Sequence, residues 1–354
     1  MTTGIDQTKL DQFLEKAVTD LGAGQSAALA YIGDRLGLYQ AMAGAGPMTA
    51  SELADRTSTR ERYIREWLNN QAAGGYVTYD PGQETYELPD EHAIVLADEG
   101  SPVYLSGLFE LTAAMWAGTD KIEHAFRTGA GVPWGAHDSR LFAATERTFS
   151  PQYQASLTSE WIPALEGVEE KLNRGAAVAD VGCGHGASTI LMAKAYPNSR
   201  FFGFDNHEES IATAREAARV EGVEDRVTFS VSDSAAIPER GFDLLCFFDC
   251  LHDMGDPVGA ASQALEALKQ DGAVMLVEPY ANDRTEDNFN PVGRLFYAAS
   301  TFLCTPSSLS QEVGLGLGAQ AGESRLRDVF HQAGFTRFRR ATETPFNLIF
   351  EAKP

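Results

Sequence analysis

Apolar residues near the start of the chain recur at helical spacing: Leu10, Phe13, Leu14, Ala17, Val18 and Leu21, then Ala27 through Ile32, Leu36 and Leu38. The pattern predicts helix over 8–43, ended by Gly44, Gly46 and Pro47. Thr49 with Glu52 three residues on forms a capping box for a short helix, ASELADR. After Ser58 a second helix follows, with Tyr63, Ile64, Trp67 and Leu68 on one face and Gly74 and Gly75 as its stop. YVTYD, the turn PGQE and TYELP then read as a β-hairpin. Helix, turn, helix and hairpin make a winged-helix arrangement, which we place within residues 1–100.

Residues 101–170 read as a helical connector rich in aromatics, among them Trp134, Phe142, Phe149, Tyr153 and Trp161. These suit packing or the wall of an apolar pocket. From Ala176 the pattern changes to alternating strands and helices, an α/β signature. Strands are expected at 176–181, 200–205, 226–231, 243–248 and 273–278, with helices at 187–195, 207–221 and 257–269. Residues 280–320 are too long for an ordinary loop and are read as a cap holding a helix over Val292–Phe302. A helix over 323–333 and two strands, TRFRRA and FNLIFEA, close the domain 171–354.

The charge balance narrows the function. The chain of 354 residues carries 28 Lys and Arg against 50 Asp and Glu, a net charge of −22. Between Gly44 and Gly100 there are four basic and eleven acidic residues, and Glu61 and Glu66 interleave with Arg60, Arg62 and Arg65 on the candidate recognition helix. A DNA reader needs cationic contacts to phosphates, so the winged helix is read as a structural or dimerisation unit. The start has no basic segment followed by an apolar run, and no apolar stretch is long enough to span a membrane. Cys183, Cys246, Cys250 and Cys304 form no CxxC pair and no zinc spacing, which suits a reducing cytoplasm and no metal.

The candidate chemistry begins where the first strand of the α/β half ends, in Asp180-Val181-Gly182-Cys183-Gly184-His185-Gly186. A glycine turn before a helix lets backbone approach a ligand and offers unpaired N–H groups. Asp180, two residues before the first glycine, is placed to pair with a cationic ligand. Asp205 ends the second strand, where a carboxylate can hold two ribose hydroxyls. Asp233, with Ser234, follows the third strand, in position to bond an adenine amine. In an open α/β sheet these strand ends share one crevice.

With these residues in place, the sequence resembles the class I S-adenosylmethionine-dependent methyltransferases. VADVGCGHGAST resembles their first motif, FFGFDNH the second, VSDSAAI the third, and FDLLCFFDCLHD and AVMLVEP the fourth and fifth. The resemblance implies a Rossmann-like seven-stranded sheet whose last strand is antiparallel. It also implies S-adenosyl-L-methionine as cofactor, with Asp180 and Gly182, Gly184 and Gly186 at its methionine part. Asp205 and Asn206 would lie at the ribose, Asp233 and Ser234 at the adenine, and Phe248 and Asp249 beside the sulfonium. The winged helix makes the chain similar to small-molecule O-methyltransferases whose helical N-terminal domain forms a homodimer. There a His-Asp-Trp motif supplies the general base. Here it reads His252-Asp253-Met254, with Glu278 and Glu323 at the positions of the two acidic residues that flank the histidine. Asp253 could serve the same end. Met254 stands where those enzymes carry Trp, and the cap 280–320 has no counterpart.

What this implies is transfer of a methyl group to a hydroxyl of an aromatic or apolar small molecule. A phenol (pKa about 10) facing an unperturbed His (about 6.5) makes full proton transfer cost about 5 kcal/mol. Carboxylates that stabilise the imidazolium reduce that gap. The alternatives are an NAD-dependent oxidoreductase, which shares GxGxxA (Gly182, Gly184, Ala187), and a cofactor-sensing transcription regulator. Transfer to nitrogen or carbon is a further alternative within methyltransferases.

Overall fold

A computed structural model describes residues 4–232 and 237–354. Asp233 and Ser234, expected at the adenine, lie outside the described residues. The chain divides into two compact units, with the boundary between Ala113 and Ala114.

The first unit opens with the helix Gln7–Arg35, capped by the Asp6 carboxylate, which accepts from the Lys9 N–H at 3.2 Å. The predicted single helix over 8–43 is broken: Gly37 takes a left-handed conformation, φ 67°, and the chain restarts as the short helix Leu38–Met42. Gly33 is fixed by packing, since a Cβ there would lie 2.5 Å from the Trp67 ring. The helices Ala50–Arg56, with its capping box intact, and Glu61–Ala73 follow. Strands β1 (Thr78–Asp80) and β2 (Thr85–Glu87) form the antiparallel wing, which Met48 joins by bridging Tyr86. Tyr39, Leu53, Trp67 and Leu68 fill the core, and the Tyr39 hydroxyl donates to Gln71 at 2.6 Å. The expected winged helix is therefore present. Leu10, Phe13, Leu14, Val18 and Leu21 remain exposed on its first helix.

The second unit is built on a seven-stranded sheet. Its strands are β3 (Ala177–Val181), β4 (Arg200–Asp205), β5 (Val227–Val231), β6 (Phe242–Phe248), β7 (Leu268–Pro279), β8 (Arg337–Glu343) and β9 (Asn347–Lys353). The order is β5-β4-β3-β6-β7-β9-β8, and β9, the last strand, runs antiparallel between β7 and β8. Side chains alternate across the strands. Val178, Leu244, Cys246 and Met275 enter one apolar layer, and Ala179, Leu245, Phe247 and Leu276 enter the other. Because β4 and β6 flank β3 on opposite sides, a crevice opens at the carboxyl ends of these strands.

Two segments differ from the sequence reading. The stretch read as a separate connector, 101–170, is cut by the boundary, and its later part belongs to the sheet unit. The reason is packing: Tyr153, Leu157 and Trp161 lie in the same apolar layer as Val178. They sit on a π-helical stretch, Tyr153–Trp161, that continues the helix Arg140–Gln152. The cap 280–320 holds the helix Pro291–Ala299, a π-helical turn Ser300–Cys304 and the helix Thr305–Leu309. The predicted helix is thus present with different bounds.

Candidate active site

A cavity lies at the carboxyl ends of β3, β4 and β6. Gly182, Gly184, Asp205, Asn206, Phe248 and Asp249 all line it, as the sequence reading expected. An aromatic wall, Trp134, Phe142, Phe149 and Tyr153, closes one side. The cap contributes Ser307 and Gln311.

The glycine turn works through two different requirements. Gly184, at φ 52°, has no atom within 4 Å of where a Cβ would stand, so its bare backbone faces the open cavity. Its N–H donates to Asp205 Oδ2 at 2.9 Å, while the His207 N–H donates to Asp205 Oδ1 at 2.9 Å. Each oxygen of Asp205 keeps lone-pair capacity for a ligand hydroxyl. Gly186, at φ 80°, would place a Cβ 2.5 Å from the Phe229 ring. Gly186 is not among the residues that line the cavity, and its role is to let the helix Ala187–Ala195 close onto the sheet.

Asp180 also stands behind the turn rather than on the cavity wall. Its Oδ2 accepts from Ser188 at 2.7 Å and Thr189 at 2.6 Å, while its buried Oδ1 has no hydrogen-bond partner. Burial pushes its carboxyl up to about 6 against the pull of the two hydroxyl donors. A buried carboxylate oxygen without a donor, spare acceptors on Asp205, a bare Gly184 backbone and an aromatic wall together suit a nucleoside that carries positive charge.

Beyond β6 the chain makes the turn Leu251–Asp253 and buries His252. Glu278, on β7, hydrogen-bonds Nδ1, and Asp253 Oδ1 lies 3.2 Å from Nε2. Burial lowers the proton affinity of the ring, but Glu278 and then Asp253 raise it, and the net direction is well above the usual histidine value. Asp253 lines the cavity; His252 itself does not. Cys304 brings its thiol to the same place, so that imidazole, carboxylate and thiol atoms lie within 4.8 Å of one another. The sequence showed no such grouping because Cys304 arrives from the cap. Glu278 takes Nδ1 by a hydrogen bond, while Asp253 Oδ1 stands within ion-pair distance of Nε2.

Glu323 requires a correction. The sequence reading set it beside His252, but its carboxylate is taken by Arg327 and by Arg340, whose Nη2 lies 2.6 Å away. It opens the helix Gly322–Gln332, where Arg327 one turn on and Arg340 of β8 hold it. The second carboxylate at His252 is that of Asp253.

Asp249 was expected from its place after β6, but its partners were not. It has a left-handed backbone, φ 49°. Its carboxylate accepts from Asn347 Nδ2 at 2.7 Å and the Tyr153 hydroxyl at 3.4 Å. Burial and the neighbouring Glu278 push its carboxyl up to about 8. On the far wall His185 Nδ1 meets Glu146 Oε2 at 2.8 Å, and His207 stacks on Phe142 with ring centres 4.3 Å apart. The aromatics of 101–170 and the place of His185 and His207 beside the crevice were the signs of this wall in the sequence.

Residues 172–334 match a family profile described as a methyltransferase domain, and residues 24–98 match one described as an Rv2258c-like winged HTH domain. Among curated proteins the chain is similar to the mitomycin biosynthesis 6-O-methyltransferase of Streptomyces lavendulae, 24% identical over 68% of this chain and 70% of that protein. It is also similar to the 27-O-demethylrifamycin SV methyltransferase of Amycolatopsis mediterranei, 31% identical over 30% of this chain, and there it spans only 39% of the relative's length. Among solved structures it resembles a putative O-methyltransferase from Nostoc punctiforme, with TM-score 0.74 and 19% identity over 96% of this chain and 98% of that one. That likeness speaks to the fold. The domain match decides between methyl transfer and the oxidoreductase or regulator readings. The chain is an S-adenosylmethionine-dependent methyltransferase, in which a domain of class I methyltransferase fold follows a winged-helix domain along the sequence.

Proposed function

We propose that the protein transfers the methyl group of S-adenosylmethionine to a hydroxyl of a small, largely apolar or aromatic molecule. The observation that carries this reading is the carboxylate-bracketed His252 behind the cavity wall, with Asp253 as the member that reaches the cavity. The bound cofactor supplies an electrophilic methyl on a sulfonium. Asp205 and Asn206 would hold its ribose and the Gly182–Gly184 backbone its methionine part, with Asp180 supporting that turn from behind; Asp233 and Ser234, the residues expected at its adenine, lie outside the described residues. Phe248 and Asp249, which line the cavity, would border the sulfonium. The aromatic wall and Met254 hold the acceptor and exclude water, and alignment of this kind can supply about 7–11 kcal/mol. His252 takes the hydroxyl proton at the Asp253 side, and Glu278 positions the ring and stabilises its charge. The names of the mitomycin 6-O-methyltransferase and the 27-O-demethylrifamycin methyltransferase support a hydroxyl acceptor.

The same reading makes the winged-helix unit a dimerisation device. Leu10, Phe13, Leu14, Val18 and Leu21 leave an apolar stripe exposed along the helix Gln7–Arg35. In the helix Glu61–Ala73, Arg62 is paired with Glu66 at 2.5 Å and Arg65 with Glu61 at 2.6 Å, which opposes a DNA role. No helix of the described residues is long and apolar enough to cross a membrane. We place the enzyme in the cytoplasm on the basis of its free cysteines. A methylation screen over hydroxyl-, amine- and carbon-acceptor libraries tests the proposal. Products methylated only on nitrogen or carbon would overturn the hydroxyl assignment.

A further inference from the structure

Asp249 lines the cavity and is held there from several elements. Its left-handed backbone, φ 49°, is one that Asp adopts more readily than most residues with a Cβ, through local hydrogen bonds. The Asp249 N–H donates to Val277 at 2.8 Å, which locks the strand end in place. The carboxylate is then held from two further elements, by Asn347 at the start of β9 and by Tyr153 of the π-helical stretch. Asn347 is itself buried and also reaches the Glu278 carbonyl at 3.4 Å. Both donors are neutral, and no Lys or Arg among the described residues pairs with Asp249. The other titratable groups that face it are Glu278 from β7, His252 from the turn after β6 and the Tyr153 phenol. Such a carboxylate is costly to keep ionised until a positive charge comes beside it.

We propose that Asp249 is the counter-charge that tells the sulfonium donor from its neutral thioether product, tightening the hold on the one and relaxing it on the other. This rests on the assignment of the cavity to S-adenosylmethionine. In the free protein, burial and the neighbouring Glu278 favour the protonated form of the Asp249 carboxyl. Arrival of the sulfonium expels that proton to solvent. Once the methyl group has left, the thioether has no charge to offer and the proton returns, which eases product departure.

Calorimetric titration of the full chain with S-adenosylmethionine and with S-adenosylhomocysteine, in two buffers of different ionisation enthalpy at pH 7, tests this. The expected result for the wild type is proton release with the sulfonium and markedly less with the thioether. In Asp249→Asn the ratio of the two dissociation constants should shift at least tenfold against the sulfonium, and the difference in proton release should vanish. Equal proton release for both ligands in the wild type would overturn the proposal even if the variant fails to fold. An unchanged affinity ratio in a folded variant would overturn it as well. If neither ligand binds the wild type, the cofactor assignment itself fails, and that outcome is separate.

Discussion

Glu278 on β7 hydrogen-bonds Nδ1 of His252, which leaves Nε2 facing Asp253 at 3.2 Å. A ring held in this way points Nε2 at Asp253, the member of the pair that lines the cavity. If it accepts the acceptor's proton, its loss should remove general-base assistance, which contributes about 10²–10⁴-fold. His252→Gln should therefore lower turnover at least tenfold while leaving cofactor affinity near wild type. Initial rates with an accepted hydroxyl substrate, beside calorimetry, check both halves. Unchanged turnover would remove His252 from its role.

The bracketing carboxylates also set a pH dependence. A base works only when deprotonated, and Glu278 and Asp253 raise the proton affinity of His252. Turnover should accordingly rise with pH through a limb centred above 6.5. Glu278→Gln keeps a hydrogen-bonding group but removes one negative charge, so the folded-state value falls and the limb moves to lower pH. A pH–rate profile of the two proteins decides this, and a limb that moves upward or stays in place would contradict the charge argument.

Glu323 gives the opposite expectation. Its partners are Arg327 and Arg340, not His252. Glu323→Gln should leave turnover within about twofold of wild type. Its partly exposed pairs are worth little, on the order of 1 kcal/mol or less. A steady-state rate and a denaturant midpoint measure the two effects, and a tenfold loss of turnover would restore Glu323 to the site.

The glycine turn separates binding from folding. Gly184→Ala meets no atom within 4 Å and keeps only the strain of its φ of 52°, whereas Gly186→Ala drives a methyl to 2.5 Å from Phe229. The Gly186 variant should lose much more thermal stability than the Gly184 variant. The Gly184 variant should lose cofactor affinity while remaining folded. Thermal unfolding and titration of both proteins would show this ordering or reverse it.

Much of this was legible in the chain because the signals were local. Apolar runs such as Phe242–Phe248 are strands buried on both faces, and Gly182 to Gly186 mark a turn that needs bare backbone. Asp205 and Asp249 fall at strand ends, which a pattern of strands already locates. What stayed hidden depends on long-range packing. Asn347 reaches Asp249 only because β9 inserts antiparallel beside β7 and brings Asn347 opposite Pro279. Cys304 and Ser307 reach the site through the folding of the cap. Glu323 misled because its place at the opening of a helix does not fix its partners, and the two arginines that hold it lie one turn on and on β8.

The measurement that bears most directly on the whole account is titration of the wild-type protein and of Asp205→Ala with S-adenosylmethionine. The account predicts saturable binding to the wild type and at least tenfold weaker binding to the variant, since both oxygens of Asp205 are oriented by backbone N–H groups at the cavity wall. Absence of heat or thermal shift with the wild type at high ligand excess, or equal affinity in the two proteins, would contradict it.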